Sequence, residues 1–100
     1  MTAFAEHVQR ALDELPPHIA KGLENVAVVI EDEDPDDPEL FGLWEADEYL
    51  PDKITIFERP LRRTFQEPAR LEQEIRVTVL HELAHYFGLD EAQIEELGYG

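Results

Sequence analysis

The fold of this chain is decided by a stretch between residues 79 and 91, which reads VLHELAHYFGLDE. It contains the pattern H-E-x-x-H, with His81 and His85 four residues apart and Glu82 directly after the first histidine. On a helix, residues four apart lie on one face, so both imidazoles can bind a single metal ion. Glu82 would lie at the rim of that face, where a carboxylate can take a proton from a water that the metal activates. The stretch therefore predicts a metal-binding helix.

The surrounding residues predict that this helix runs from about Pro68 to Phe87. At about 100° per residue, one arc is apolar and should face the core. Its members are Val77, Leu80, Leu83, Ala84 and Phe87. The two histidines share the neighbouring arc with Glu74 and Thr78, and Gly88 suits the position just past the last turn. We therefore expect the helix to bury its apolar face and to turn its histidines toward a cleft.

A catalytic zinc site usually has three protein ligands, so the two histidines need a third. Nine residues follow Glu91, and we expect this ligand close to the motif rather than on a separate helix. In the longer pattern H-E-x-x-H-x-x-G-x-x-H, Glu91 occupies the third-ligand position. The competing residue is Asp90, which suits the N-cap of a short final helix over Glu91–Leu97. We favour Zn²⁺ held by His81, His85 and Glu91, with Asp90 as the alternative to Glu91.

The composition predicts one small acidic domain over residues 1–100. The 24 Asp and Glu residues outnumber the 8 Lys and Arg residues, which leaves a net charge of −16. This charge disfavours nucleic acid and anionic membranes as partners, and leaves a peptide or protein substrate, if anything a basic one. No segment is long and apolar enough to cross a membrane, and the first residues read as an amphipathic helix rather than a signal peptide. We therefore expect a cytoplasmic protein.

The remaining segments predict an α+β fold in which a small mixed sheet packs on the motif helix. An N-terminal helix should end at Leu15 before two prolines, and a helical turn should follow over Pro17–Lys21. Three apolar segments are candidate strands: Val26–Ile30, which should be buried, Leu40–Glu45, a strand or a loop exposing Trp44, and Lys53–Glu58, ended by Pro60. Residues 31–39 form an acidic, proline-broken loop. Either Leu40–Glu45 or Lys53–Glu58 can supply a sheet edge that holds an extended peptide beside the metal.

In this order the segments resemble the minimal zincin-like bacterial metallopeptidases, small proteins with H-E-x-x-H-x-x-G-x-x-D. Beyond the motif, four segments carry the resemblance: Ala11–Pro16, Asn25–Asp32, Phe41–Trp44 and Leu50–Ile54. The resemblance implies a zinc peptidase in which His81 and His85 bind the metal and Glu82 is the base. Glu91 stands where that family has aspartate, which is one methylene shorter.

Two other functions compete with a zinc-dependent peptidase. Bacterial metal-dependent endoribonucleases carry H-x-x-x-H-x-x-G-x-D-H, which His81, His85, Gly88 and Asp90 match in part. Glu82, a base of the peptidase type, and the acidic surface oppose that function. The other alternative is a metal-binding domain without catalytic activity. Candidate oxyanion partners are Tyr49, Tyr86 and Arg59, and no spacing argument singles one out.

Overall fold

In the described part of the chain, two helices precede a small sheet and two follow it, which agrees with the α+β prediction. The structure is a computed structural model that describes residues 3–86 together with 92 and 96, without the side chains of His18, His85 and Tyr86. Its elements are α1 (Phe4–Asp13), α2 (Pro17–Gly22), β1 (Val26–Glu31), β2 (Gly42–Glu45), β3 (Asp52–Phe57), α3 (Glu58–Thr64) and α4 (Pro68–Tyr86). Ala92 and Glu96 are helical and fall within the predicted final helix, whose other residues lie outside the described part.

The sheet has three strands in the order β1-β3-β2 and is mixed, as predicted. β1 runs parallel to β3, and β2 runs antiparallel to it, with Gly42 opposite Ile56. The prediction that Val26–Ile30 is a buried strand is wrong, because β1 is an edge strand and Ile30 is 36% exposed. The central strand is β3, in which the four residues from Ile54 to Phe57 are all buried. Its two edges pair with β1 and β2, and the side chains of Ile54 and Ile56 pack into the core.

The core lies between the sheet and the helices α1 and α4. Its buried side chains are Phe4, Val8, Ala11, Leu15, Ile54, Ile56, Leu61, Leu71, Ile75, Val79 and Leu80. Along α4 the buried positions recur every three or four residues, which is the spacing that places them on one helix face. Val77 departs from the predicted apolar arc, since it is only half-buried and lies at the border of the core. Of the alternatives for Trp44, the structure shows a half-buried side chain on a strand that packs against the core.

The helix α3 follows β3 directly and was not predicted. Pro60 suggested the end of a strand, but it is the third residue of α3, where a proline is tolerated because the first turn has no intrahelical partner for its N–H. Leu61 is fully buried and anchors α3 to the core. The side chain of Arg62 donates to Glu58 at 2.7 Å across one helical turn. The burial of Leu61 is the main reason that the segment folds as a helix against the core, and the Arg62–Glu58 pair adds little.

Among the described helices, none is both long enough and apolar enough to cross a membrane.

Candidate active site

His81 is oriented by the backbone of its own helix. Its Nδ1 lies 3.2 Å from the carbonyl oxygen of Val77, one turn earlier in α4. A carbonyl oxygen only accepts hydrogen bonds, so Nδ1 is the protonated nitrogen of the ring. In that tautomer the lone pair that can bind a metal is on Nε2. The contact with Val77 therefore favours the tautomer in which Nε2 could bind a metal.

A cavity of about 500 Å³ opens beside His81 and Glu82. The helix α4 contributes one wall, and the segment from Asp37 to Gly42 contributes the other. The lining residues are Asp37, Glu39, Leu40, Phe41, Gly42, Glu74, Val77, Thr78, His81 and Glu82. The predicted arc of Glu74, Thr78 and His81 is thus confirmed to face a cleft. We call this cavity the cleft.

The strand β2 forms the edge of the sheet that borders this cleft. Its first residue, Gly42, is buried, lies against Thr78 of α4 and belongs to the cleft lining. One side of β2 pairs with β3, and no other described strand pairs with its second side. Of the two segments predicted as possible peptide-binding edges, the structure therefore places β2 at the edge and β3 in the centre.

The described lining of the cleft is acidic. Besides Glu82 it contains the carboxylates of Asp37, Glu39 and Glu74, and it contains neither lysine nor arginine. Glu74 forms an ion pair with Arg70 at 2.9 Å, one turn earlier on α4. The sequence offered no spacing signal that Asp37 and Glu39 would border the site, because the loop that carries them reads only as a solvated acidic run.

The acidic loop of residues 32–39 is held in place by Arg59 and Arg63 of α3, and Glu31, which was predicted in the loop, is the last residue of β1. The backbone N–H of Arg59 donates to the carbonyl oxygen of Asp32 at 2.9 Å, and its guanidinium lies within 3.7 Å of the Asp32 carboxylate. The side chain of Arg63 donates to the carbonyl oxygen of Pro38 at 3.2 Å. Arg59 therefore serves the loop and is not among the described cleft residues. Tyr49, another candidate oxyanion partner, is 90% exposed and is likewise absent from that lining.

The remaining predicted site residues are placed only in part. His85 lies on α4 one turn after His81, on the same helix face, and its side chain is outside the described part. Glu91, its competitor Asp90 and Gly88 lie outside the described residues altogether. The structure thus brings His81 and Glu82 together at the cleft, while the complete ligand set stays a prediction.

The chain matches the family of zincin-like metallopeptidases over residues 23–100. It belongs to that family. The matched region contains all three strands, α3, α4 and the motif, and begins after α2. No curated protein matches the chain.

The described groups fit the metal that a zincin-like metallopeptidase is expected to carry. Neutral imidazole is a preferred zinc ligand, and the Val77 carbonyl oxygen gives His81 the outer-shell hydrogen bond that such ligands usually make. The adjacent carboxylate of Glu82 is half-buried and borders the same cleft. A ligand nitrogen and a proton acceptor therefore meet in one water-accessible space.

Proposed function

We propose that this protein is a zinc-dependent peptidase. His81, His85 and Glu91 would hold the ion, and Glu82 would act as the general base. The observation that carries this proposal is that His81 and Glu82 both open onto a cleft that Gly42, at the start of the edge strand β2, also lines. Zinc, when bound, supplies a Lewis acid for the scissile carbonyl and lowers the pKa of water toward neutrality.

Groups of the protein itself transfer the protons and orient the metal ligand and the substrate. Glu82 takes a proton from the attacking water and passes it to the leaving amine. The Val77 carbonyl oxygen holds the imidazole of His81 in one tautomer. The backbone at the start of β2, where Gly42 lines the cleft, can bind a peptide in an extended conformation.

A basic peptide is the substrate class that the cleft favours. Asp37, Glu39 and Glu74 line it, and carboxylates in a partly enclosed space attract cationic side chains. Leu40 and Phe41 are also in the lining and can contact the aliphatic part of an arginine or lysine side chain. The same carboxylates would repel the phosphates of RNA, which argues against the endoribonuclease alternative.

The test is hydrolysis of a peptide pool by the zinc-loaded protein, in which each peptide has a basic and an acidic version. We expect Glu82→Gln to lower kcat by about 10²- to 10⁴-fold with unchanged zinc content, because it removes the general base but no ligand. Glu6→Gln is the matched control, since it removes the same charge from an exposed position on α1. Basic peptides should be cleaved faster than their acidic counterparts.

Three outcomes would contradict the proposal. Equal rates of peptide hydrolysis for wild type and Glu82→Gln would contradict the proposed peptidase mechanism. Cleavage of single-stranded RNA by the pure protein, abolished by chelation, would favour the endoribonuclease. Zinc binding without hydrolysis of any peptide in the pool would favour a domain that binds metal without catalysis.

A further inference from the structure

At Gly42 the edge strand β2 lies close against the motif helix α4. A Cβ atom built on Gly42 would lie 2.5 Å from Cγ2 of Thr78. Carbon atoms in favourable contact are about 3.5 to 4.0 Å apart, so any side chain at this position requires a displacement of roughly 1 Å. The absence of a Cβ atom therefore allows β2 to lie directly on α4.

The neighbours of Gly42 leave little room for adjustment. Thr78 is 8% exposed, and its hydroxyl donates to the carbonyl oxygen of Glu74 at 2.8 Å. Rotating the Thr78 side chain to move Cγ2 away would break this bond. On the side of the sheet, the carbonyl oxygen of Thr55 would lie 3.4 Å from the same Cβ atom. The displacement would therefore fall on the strand as a whole.

The helix turn under Gly42 is the one that carries the general base. Glu82 follows Thr78 by four residues and shares its helix face. Its Cγ would lie 3.6 Å from a Cβ atom on Gly42, which is ordinary van der Waals contact. A change in the height of β2 above α4 therefore changes the distance between the strand edge and Glu82.

We infer that Gly42 is a positioning residue for the peptide substrate. Its missing side chain sets the distance between the start of β2 and the carboxylate of Glu82, and so aligns a peptide bound beside Gly42 with the base. This inference rests on the proposed peptidase function. Misplacement of a substrate by about 1 Å can cost a factor of about 10² in rate, so a contact of this kind is large enough to matter.

Four proteins test the inference: wild type, Gly42→Ala, Thr78→Ser and the double variant. Serine keeps the hydroxyl that bonds to Glu74 but lacks Cγ2, so the double variant has room for the alanine methyl group. We expect Gly42→Ala to lower kcat/KM by about 10- to 100-fold, mainly through kcat, because the strand edge still binds peptide but holds it out of line. In the Thr78→Ser background the same change should have a much smaller effect.

Two further measurements separate positioning from general damage. Zinc affinity should be the same in all four proteins, because the proposed ligands belong to α4 and to the residues after it. Val28→Ala is the control for lost stability, since Val28 packs against the core from β1, at the opposite edge of the sheet. It should lower the Tm without changing kcat at a temperature where the protein is folded.

The results distinguish this inference from the proposed function. The role of Gly42 is overturned if wild type cleaves peptides and Gly42→Ala keeps the wild-type kcat. It is also overturned if Gly42→Ala lowers kcat equally in the wild-type and Thr78→Ser backgrounds. In either case the proposed peptidase function stands. If Gly42→Ala does not fold, the double variant is compared with Thr78→Ser. A kcat tenfold lower in the double variant than in Thr78→Ser would overturn the role of Gly42. If wild type cleaves no peptide, the proposed function itself is overturned.

Discussion

At the scale of single residues, the hydrogen bond from His81 to Val77 links the metal chemistry of the motif to the helix backbone. The acceptor is four residues before the donor, so the bond is available wherever this segment is helical. It selects the tautomer in which Nε2 carries the lone pair. A proposed metal ligand of the motif is therefore oriented by a residue one turn earlier on the same helix.

The third ligand gives a prediction at this scale. Glu91→Gln and Asp90→Asn are a matched pair, because each removes one negative charge from neighbouring positions. We expect Glu91→Gln to weaken zinc binding by more than the roughly 10- to 100-fold that loss of an outer-shell partner costs. Asp90→Asn should bind zinc as wild type does. Competition with a coloured chelator measures both affinities.

The reverse result would move the third ligand to Asp90. Wild-type affinity in both variants would remove these carboxylates from the site, whereas His81→Ala should lose binding in either case.

At the scale of elements, α1 is joined to α4 by a buried polar contact. His7 of α1 is 3% exposed, and its Nδ1 lies 2.6 Å from the carboxylate of Glu72 on α4. The hydrogen bond from His7, aided by the nearby charge of Arg10, holds the pKa of Glu72 below its ordinary value of 4.5. The lone histidine of α1 thus ties the element that precedes the family-matched region to the motif helix.

The sign of this pKa shift predicts a pH dependence. A lowered pKa in the folded state contributes stability that is present above the ordinary value of 4.5 and is lost as the pH falls through the lowered value. We expect Glu72→Gln to lower the Tm at pH 6 to 7, and the difference from wild type to shrink below pH 4. Glu6→Gln controls for the loss of one charge. A difference between Glu72→Gln and wild type that stays constant from pH 7 to pH 3 would contradict this cause.

At the scale of the whole molecule, the net charge of −16 acts on a body whose longest dimension is 34 Å. The Debye length is about 30 Å at 0.01 M salt and about 3 Å at 1 M, so at low salt most of the charges repel one another. Ion pairs are present, but their side chains are mostly half-exposed or exposed, and such pairs contribute little. Self-repulsion should therefore dominate the effect of salt on stability.

We predict that salt stabilises this protein. Raising NaCl from 10 mM toward 1 M should increase the Tm, because salt screens the repulsion between acidic side chains. A decrease of about 1 kcal/mol in this repulsion would raise the Tm by about 4 to 8 °C in a domain of this size. Asp36→Lys, at an exposed position of the acidic loop, should raise the Tm at low salt and reduce the salt dependence. Thermal unfolding followed by circular dichroism measures both effects. A Tm that falls with added salt would show that ion pairs outweigh repulsion.

Features that depend on nearby residues could be predicted from the sequence. The motif helix was predicted from about Pro68 to Phe87 and runs over Pro68–Tyr86 in the described part. Its cleft-facing arc was also predicted, because helical spacing fixes which residues share a face. The helix α3 was missed, since Pro60 is compatible with both a strand end and a first helical turn, and the burial of Leu61 decides between them.

The sequence by itself determined the motif, the spacing of its histidines, the α+β class and the excess of acidic charge. Only the tertiary structure decided that β3 rather than β1 is central, that β2 borders the cleft, and that the acidic loop forms one of its walls. The physical reason is the difference in sequence separation between the interacting residues. Helical periodicity acts over a few residues, whereas strand order and the contact of Gly42 with Thr78 join segments far apart in the chain, whose pairing depends on how the whole core packs.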